Sequence, residues 1–131
     1  MKKLIPMLLL VGMSTNVFAE WTNIGGNDNQ GMNAYVDITT IRKHGNLVKI
    51  WYLTDYKKNQ TFQELKYLSS KSQREYDCKE EQSRGVAFSW FSGNMGDGGV
   101  VYSGGTEGRQ WEPVQPESVG ETLFKVACGI K

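Results

Sequence analysis

Ser118-Val119-Gly120-Glu121-Thr122-Leu123-Phe124-Lys125-Val126-Ala127-Cys128-Gly129 decides the fold class, because here the apolar period changes to that of a helix. Ser118 and Glu121 form an S-x-x-E capping box, in which the Ser oxygen and the Glu carboxylate satisfy free amides of the first turn. Val119, Leu123, Val126 and Ala127 fall at i, i+4, i+7 and i+8, one helical stripe. Lys125 sits near the negative end of the helix dipole, and Gly129 suits a left-handed C-cap. Upstream, Pro113 and Pro116 keep the approach extended.

Outward from that helix the chain reads as strands. Val100 to Ser103 is one β run, and Gly93 to Gly99 is a flexible loop that joins it to the alternating segment Arg84–Ser92, in which Val86, Phe88 and Trp90 share a face. Seven glycines between 93 and 108 argue against any helix there. In Phe62–Cys78 the polar stretch Ser69–Glu75 suits strand or helix, and the favoured reading is one long strand ending at Tyr76-Asp77-Cys78. Asp55 to Gln60 is polar and basic and reads as a turn. Leu47 to Thr54 is dense in β-branched and aromatic residues, and Lys43-His44-Gly45-Asn46 turns it back onto a strand that starts at Ala34. In that strand Val36 and Ile38 point one way, Asp37 and Thr39 the other. Trp21 to Asn33 reads as an irregular lead-in. The order β-β-β-β-β-α places the chain in the α+β class: an antiparallel sheet of about five to six strands with one C-terminal helix packed on it.

The start of the chain carries a different signal. Lys2 and Lys3 precede the short apolar run Leu4–Met13, and Val17-Phe18-Ala19 places small residues at the two cleavage-site positions. This predicts a secretory signal over 1–19, cleaved before Glu20, and one domain over 20–131. About ten apolar residues reach only about half of a bilayer core. No other segment is apolar enough to span a membrane, and Glu20 rather than Cys follows the cleavage site, so no lipid anchor is expected. The expected address is periplasmic, secreted or on the cell surface. Of 131 residues 39% are hydrophobic and 22% charged, as in ordinary folded proteins. Removing Lys2 and Lys3 from the 15 basic residues leaves 13 against 14 acidic ones, net −1, which excludes a net-charge argument for nucleic acid. In an oxidising compartment, Cys78 and Cys128 imply one disulfide rather than a metal site or a catalytic thiol. Closing that loop contributes about 4 kcal/mol in the chain-entropy model.

A search for chemistry finds no G-x-S-x-G, C-x-x-C or H-E-x-x-H motif. His44, the single histidine, reads as an exposed turn residue, and Asp37 and Asp55 as ordinary strand-end carboxylates. The glycine loop lacks Walker spacing for phosphate. Asn94 and Asp97 fall far short of a calcium site's ligands. No catalytic residue, cofactor or metal is expected. Lys49 to Lys58 interleaves aromatics with bases, and from it Trp51, Tyr56, Lys57 and Lys58 are the candidate contacts for a protein partner, aromatics supplying buried area and lysines steering.

Short motifs recur along the chain in a telling order: Tyr35-Val36-Asp37, Thr40-Ile41-Arg42-Lys43, Gly45-Asn46, Val48-Lys49, Trp51, Asp55-Tyr56-Lys57 and Glu75-Tyr76-Asp77-Cys78, then Gly93-Asn94, Val100-Val101-Tyr102, Trp111, Pro113-Val114, Pro116 and Cys128. In this order, and with these two cysteines, the chain resembles the surface-adhesin protein E-like family of Gram-negative bacteria over nearly all of 21–128. The resemblance implies an antiparallel sheet with a helix packed on it and a disulfide linking the two. It also implies adhesion to host extracellular-matrix or serum proteins and self-association as a homodimer. The expected function is therefore a non-enzymatic secreted binding module that presents a sheet face or edge to a protein partner. The alternative is a periplasmic inhibitor of a host hydrolase such as lysozyme, with Ser92–Ser103 as the blocking loop.

Overall fold

In the computed structural model, residues 20–105 and 109–130 are described; the signal segment expected over 1–19 lies outside the described residues. The backbone of the fold is a hairpin of two long strands, β4 (Leu47–Phe62) and β5 (Leu65–Asp77). On one side of β4 lie β3 (Arg42–His44) and β2 (Met32–Val36), and β2 carries β1 (Thr22–Asn27) at the sheet's edge. On the far side of β5 lies β6 (Gln82–Phe91), which pairs along different parts of its length with β7 (Val100–Gly105) and the short β8 (Glu112–Pro113). Every pairing is antiparallel. The sheet thus has eight strands among the described residues, against the five to six expected, and the extra ones are short edge pieces.

The helix α1 (Val119–Cys128) forms where its caps place it. Ser118 Oγ accepts from the Glu121 amide at 3.1 Å. The Glu121 carboxylate turns away from the box and sits 3.4 Å from Lys125 Nζ instead. Gly129 closes the helix at φ 69°, and the Ile130 amide donates to the Lys125 carbonyl at 2.9 Å, a Schellman-type end. Leu123, Phe124 and Ala127 are buried, and they meet Val36, Val48, Ile50 and Tyr76 of the sheet to make the core. Cys78, just past β5, and Cys128, the last helical residue, are bonded with Cα atoms 5.7 Å apart. The disulfide therefore ties the helix to the central hairpin.

Three local readings change. Asp55–Gln60 is not a turn: β4 runs through it to Phe62, and the chain reverses at Gln63 and Glu64, both at positive φ (47° and 71°). Neither residue advertises a hairpin turn as Asn-Gly would. The polar run is absorbed by a register irregularity between Asp55 and Gln60. The lead-in is not irregular throughout. β1 forms across Thr22–Asn27 with a bulge between Asn23 and Gly25, and the positive φ of Gly26 and Gly31 bends it into β2. Finally, the alternation through Val36–Thr39 breaks after Val36. Asp37 leaves the strand and caps the 3₁₀ turn Ile38–Thr40, accepting from the Thr39 amide at 2.9 Å and the Glu20 amide at 3.2 Å. In consequence Asp37 is 3% exposed and Ile38 58%, the reverse of the strand reading.

One buried group in this core stands out. The Tyr76 hydroxyl has no hydrogen-bond partner among the described residues. Burial drives its pKa well above the ordinary tyrosine value, with the neighbouring Arg74 charge pulling the other way. Because the folded-state pKa is raised, stability is independent of this group below about pH 10 and is lost as pH rises above it. Tyr76→Phe removes the orphan hydroxyl and keeps the ring that packs 6.0 Å from Phe124. It is expected to raise stability by about 1 kcal/mol at neutral pH and to flatten the alkaline loss by up to about 1.4 kcal/mol per pH unit. Urea melts of both proteins at pH 7 and pH 11 check this; a destabilised phenylalanine variant would show that the hydroxyl is bonded.

Candidate functional site

The central hairpin outreaches its neighbours. β2 pairs with β4 only as far as Tyr56, opposite Met32, and β6 pairs with β5 only from Ser69, opposite Phe91. Past those points β4 and β5 pair only with each other, through Gln60–Tyr67, Thr61–Lys66 and Phe62–Leu65. Residues 57–68 therefore form a projecting two-stranded arm. Lys57, Lys58 and Lys66 are exposed on it, and so is Phe62 at 48%.

The base of the arm is braced from two directions. The Lys57 amide donates to the Gly31 carbonyl at 3.0 Å, and Lys57 Nζ lies 3.9 Å from Asp28 across open solvent. On the other side, the loop after β6 folds back onto the hairpin. Asn94 Nδ2 donates to the Tyr56 carbonyl at 2.8 Å and to Asp55 Oδ1 at 3.1 Å, and the Met95 amide donates to the same Asp55 oxygen at 2.7 Å. Ser69 Oγ accepts from the Gly96 amide at 2.8 Å and donates to the Gly93 carbonyl at 2.6 Å. The glycine loop's amides are thus engaged by Asp55, Ser69, Ser92 and Asp97, which leaves them turned inward rather than arranged around an anion. Asp37 caps its own 3₁₀ turn and Asp55 anchors the distant Asn94–Met95 loop, so each carboxylate has a separate structural task.

An aromatic row continues from the arm across the sheet. Tyr67 stacks on Trp90 with centroids 4.4 Å apart and planes 13° apart, and Tyr56 meets Tyr67 edge-on at 5.9 Å. Phe62 reaches Trp90 at 5.5 Å, while Phe88 and Tyr102 lie 5.6 and 5.2 Å from it. Packing of this kind stiffens the arm, each ring pair adding about 0.5–1.5 kcal/mol beyond area burial. The pKa of Tyr56 is raised, first by burial and then by the neighbouring Tyr67 and Tyr52.

Of the four contact candidates, Tyr56, Lys57 and Lys58 stand together at the base of the arm. Trp51 stands apart. Strand alternation turns it to the face of Leu53, away from the helix side that holds Ile50 and Tyr52, and its amide donates to Thr40 Oγ1 at 3.0 Å. Sequence reasoning missed Phe62, Tyr67 and Trp90 as parts of this surface, because the hairpin turn was placed six residues too early. A signal was present in the aromatic spacing of Phe62 and Tyr67, but not the register that joins them to Trp90. Among the described residues no group of three or more His, Cys, Asp or Glu side chains could hold a metal ion. Nor is any helix among them long and apolar enough to cross a membrane.

Comparison with known proteins agrees with this fold. The sequence profile of a family described as surface-adhesin protein E matches residues 21–129. No curated protein matches the chain by sequence alone. In three dimensions the chain is similar to Haemophilus influenzae protein E, with a TM-score of 0.62 at 13% identity, covering 88% of each chain. Its second crystal form superposes with a TM-score of 0.61 at 14% identity over 88% of this chain and 91% of that one. The corresponding protein of non-typeable Haemophilus influenzae gives 0.59 at 14% identity, over 88% and 79%. At such identities the likeness is one of fold.

Proposed function

The chain belongs to the surface-adhesin protein E family, and on that premise we propose that it is an exported, non-enzymatic, adhesin-like module that takes hold of a host protein with its projecting hairpin. The observation that carries this reading is the arm at 57–68, which pairs with neither neighbouring strand along its length. A two-stranded ribbon in water is marginal by itself. Here Asp55, Ser69 and the packing of Tyr67 and Phe62 on Trp90 hold it in one arrangement against the aromatic row of β6. A preorganised ribbon loses little entropy on binding. Its lysines supply steering, and Tyr56 and Phe62 supply area to bury. The partner is an extracellular-matrix or serum protein. The signal segment read over 1–19 would carry the chain out of the cytoplasm, in keeping with a surface-adhesin family.

The triple variant Tyr56→Ala, Lys57→Glu, Lys58→Glu tests it. The two lysines are exposed, the Lys57–Asp28 pair is a surface ion pair worth about 0–1 kcal/mol, and the Gly31 hydrogen bond uses the backbone. Tyr56→Ala gives up the edge-on contact with Tyr67, about 0.5–1.5 kcal/mol beyond its buried area, so the fold should survive with a lower melting temperature, and Lys57→Glu, Lys58→Glu with Tyr56 kept separates lost contact from a loosened arm. Capture of immobilised matrix and serum proteins, measured by surface plasmon resonance, should fall by at least about tenfold for the partner that the unaltered protein binds. Undiminished capture by the folded variant would place the contact surface elsewhere.

A further inference from the structure

The helix-bearing face of the sheet holds a second, separate feature beyond the end of α1. Tyr52, Ser72 and Phe88 lie side by side in register on β4, β5 and β6. A small residue thus sits between two rings. With strands about 4.8 Å apart, the two aromatic stems stand roughly 10 Å from one another, enough for one saturated ring between them. The floor of this slot is kept low by Ser72 and Gly85, and Trp90 extends the Phe88 wall. The resulting cavity measures about 260 Å³. That is below the usual range of roughly 300–1,000 Å³ for drug-sized ligands, so it fits a single ring.

Among the described residues the charged groups that line the slot are basic. Arg74 and Arg109 both line it, and no carboxylate does among the described residues. Arg74 is held in place: its Nε and Nη2 donate to Ser83 Oγ at 3.2 and 3.0 Å, and Nη2 lies 3.8 Å from the exposed Glu112. Arg109 is exposed and forms no ion pair among the described residues. A positioned guanidinium beside aromatic walls and a hydroxyl floor combines three demands: a flat apolar ring face, a hydroxyl rim, and a carboxylate for the fork. A neutral sugar leaves Arg109 unanswered and offers nothing to draw Arg74 from the exposed Glu112, and an aliphatic acid leaves the rings bare.

We propose that the Tyr52–Ser72–Phe88 slot binds a carboxylated pyranose, the acidic sugar unit of a glycan, with its ring between the aromatic walls and its carboxylate on Arg74 and Arg109. This site shares Trp90 with the arm's aromatic row but includes none of Tyr56, Lys57 and Lys58, and Arg109 and Ser72 are outside the arm, so the variants that test the one reading leave the other untouched. The two sources of such a unit, sialic acid and hexuronic acid, are separated by the probes. Saturation-transfer NMR and isothermal titration of the full mature protein use 3′-sialyllactose and methyl glucuronide, with lactose and methyl glucoside as neutral counterparts. One acidic probe should bind, with saturation transfer to its ring protons, and its neutral counterpart should bind at least about tenfold more weakly. Arg109→Glu, on an exposed side chain that leaves the fold intact, should weaken that binding by about tenfold or more, and Ser72→Leu should fill the slot and abolish it. Absence of binding by both acids, equal binding of acid and neutral sugar, or unchanged binding in folded Arg109→Glu would each overturn the proposal.

Discussion

With Cys78 and Cys128 both replaced by serine, the protein is expected to lose about 2–5 kcal/mol of stability and to melt roughly 10–25 °C lower. The bridge closes a loop spanning a sequence separation of 50, which contains β6, β7, β8 and the approach to α1. In the reduced unfolded chain those segments are free to separate, so the entropy of bringing the helix back to β5 must be met by contacts alone. Those contacts are few: Leu123, Phe124 and Ala127 are the buried residues that α1 contributes. The oxidised protein avoids part of that entropic cost, in the chain-entropy account of cross-links. Thermal melts of the double-serine variant, and of the unaltered protein with and without reductant, check this. The reduced protein should melt with the variant. A variant melting within about 2 °C of the oxidised protein would show that core contacts alone dock the helix.

Leu123→Ala is expected to cost about 2–5 kcal/mol even with the disulfide in place. Leu123 is 2% exposed and lies where the helix meets Val36, Val48 and Ile50, with Tyr76 beside them. Its neighbours are strand residues locked in a hydrogen-bonded ladder, so they cannot collapse into the space that a truncated side chain leaves. Denaturant midpoints measure the loss, and an unchanged slope of free energy against denaturant would show that the compactness of both states is retained. The two perturbations act on the same docking event. Their combination should therefore depart from additivity, because once the covalent tie is cut a weakened helix can leave the sheet altogether. A loss below about 1 kcal/mol for Leu123→Ala would mean that the helix face is loosely packed there.

The helix is the element most completely legible in the chain. Its stripe, its Ser118 cap and its Gly129 stop are all local signals, and local hydrogen bonds realise them. Phe124 falls beside the stripe of Val119, Leu123 and Ala127, yet it is buried against Tyr76 of β5, a neighbour that the local period does not reveal. The capping-box glutamate pairs with Lys125 one turn on. Asp37 shows a competition of another kind. Its carboxylate can serve as one more polar strand residue or bond the backbone two residues ahead, and the second choice ends β2.

Residue chemistry alone was enough for the α+β class, the antiparallel order, the single helix and the pairing of the two cysteines, since periods, caps and compartment are written in neighbouring side chains. The projecting arm and the slot were not readable that way. Gln63 and Glu64 turn the hairpin without a glycine or asparagine, and the irregularity between Asp55 and Gln60 shifts one strand against the other. Strand register is decided by which faces become buried across the whole sheet, and a slip in it changes every cross-strand neighbour. Hence Tyr67 came to lie on Trp90, and Ser72 between Tyr52 and Phe88, only when residues far apart in the chain were brought into one ladder.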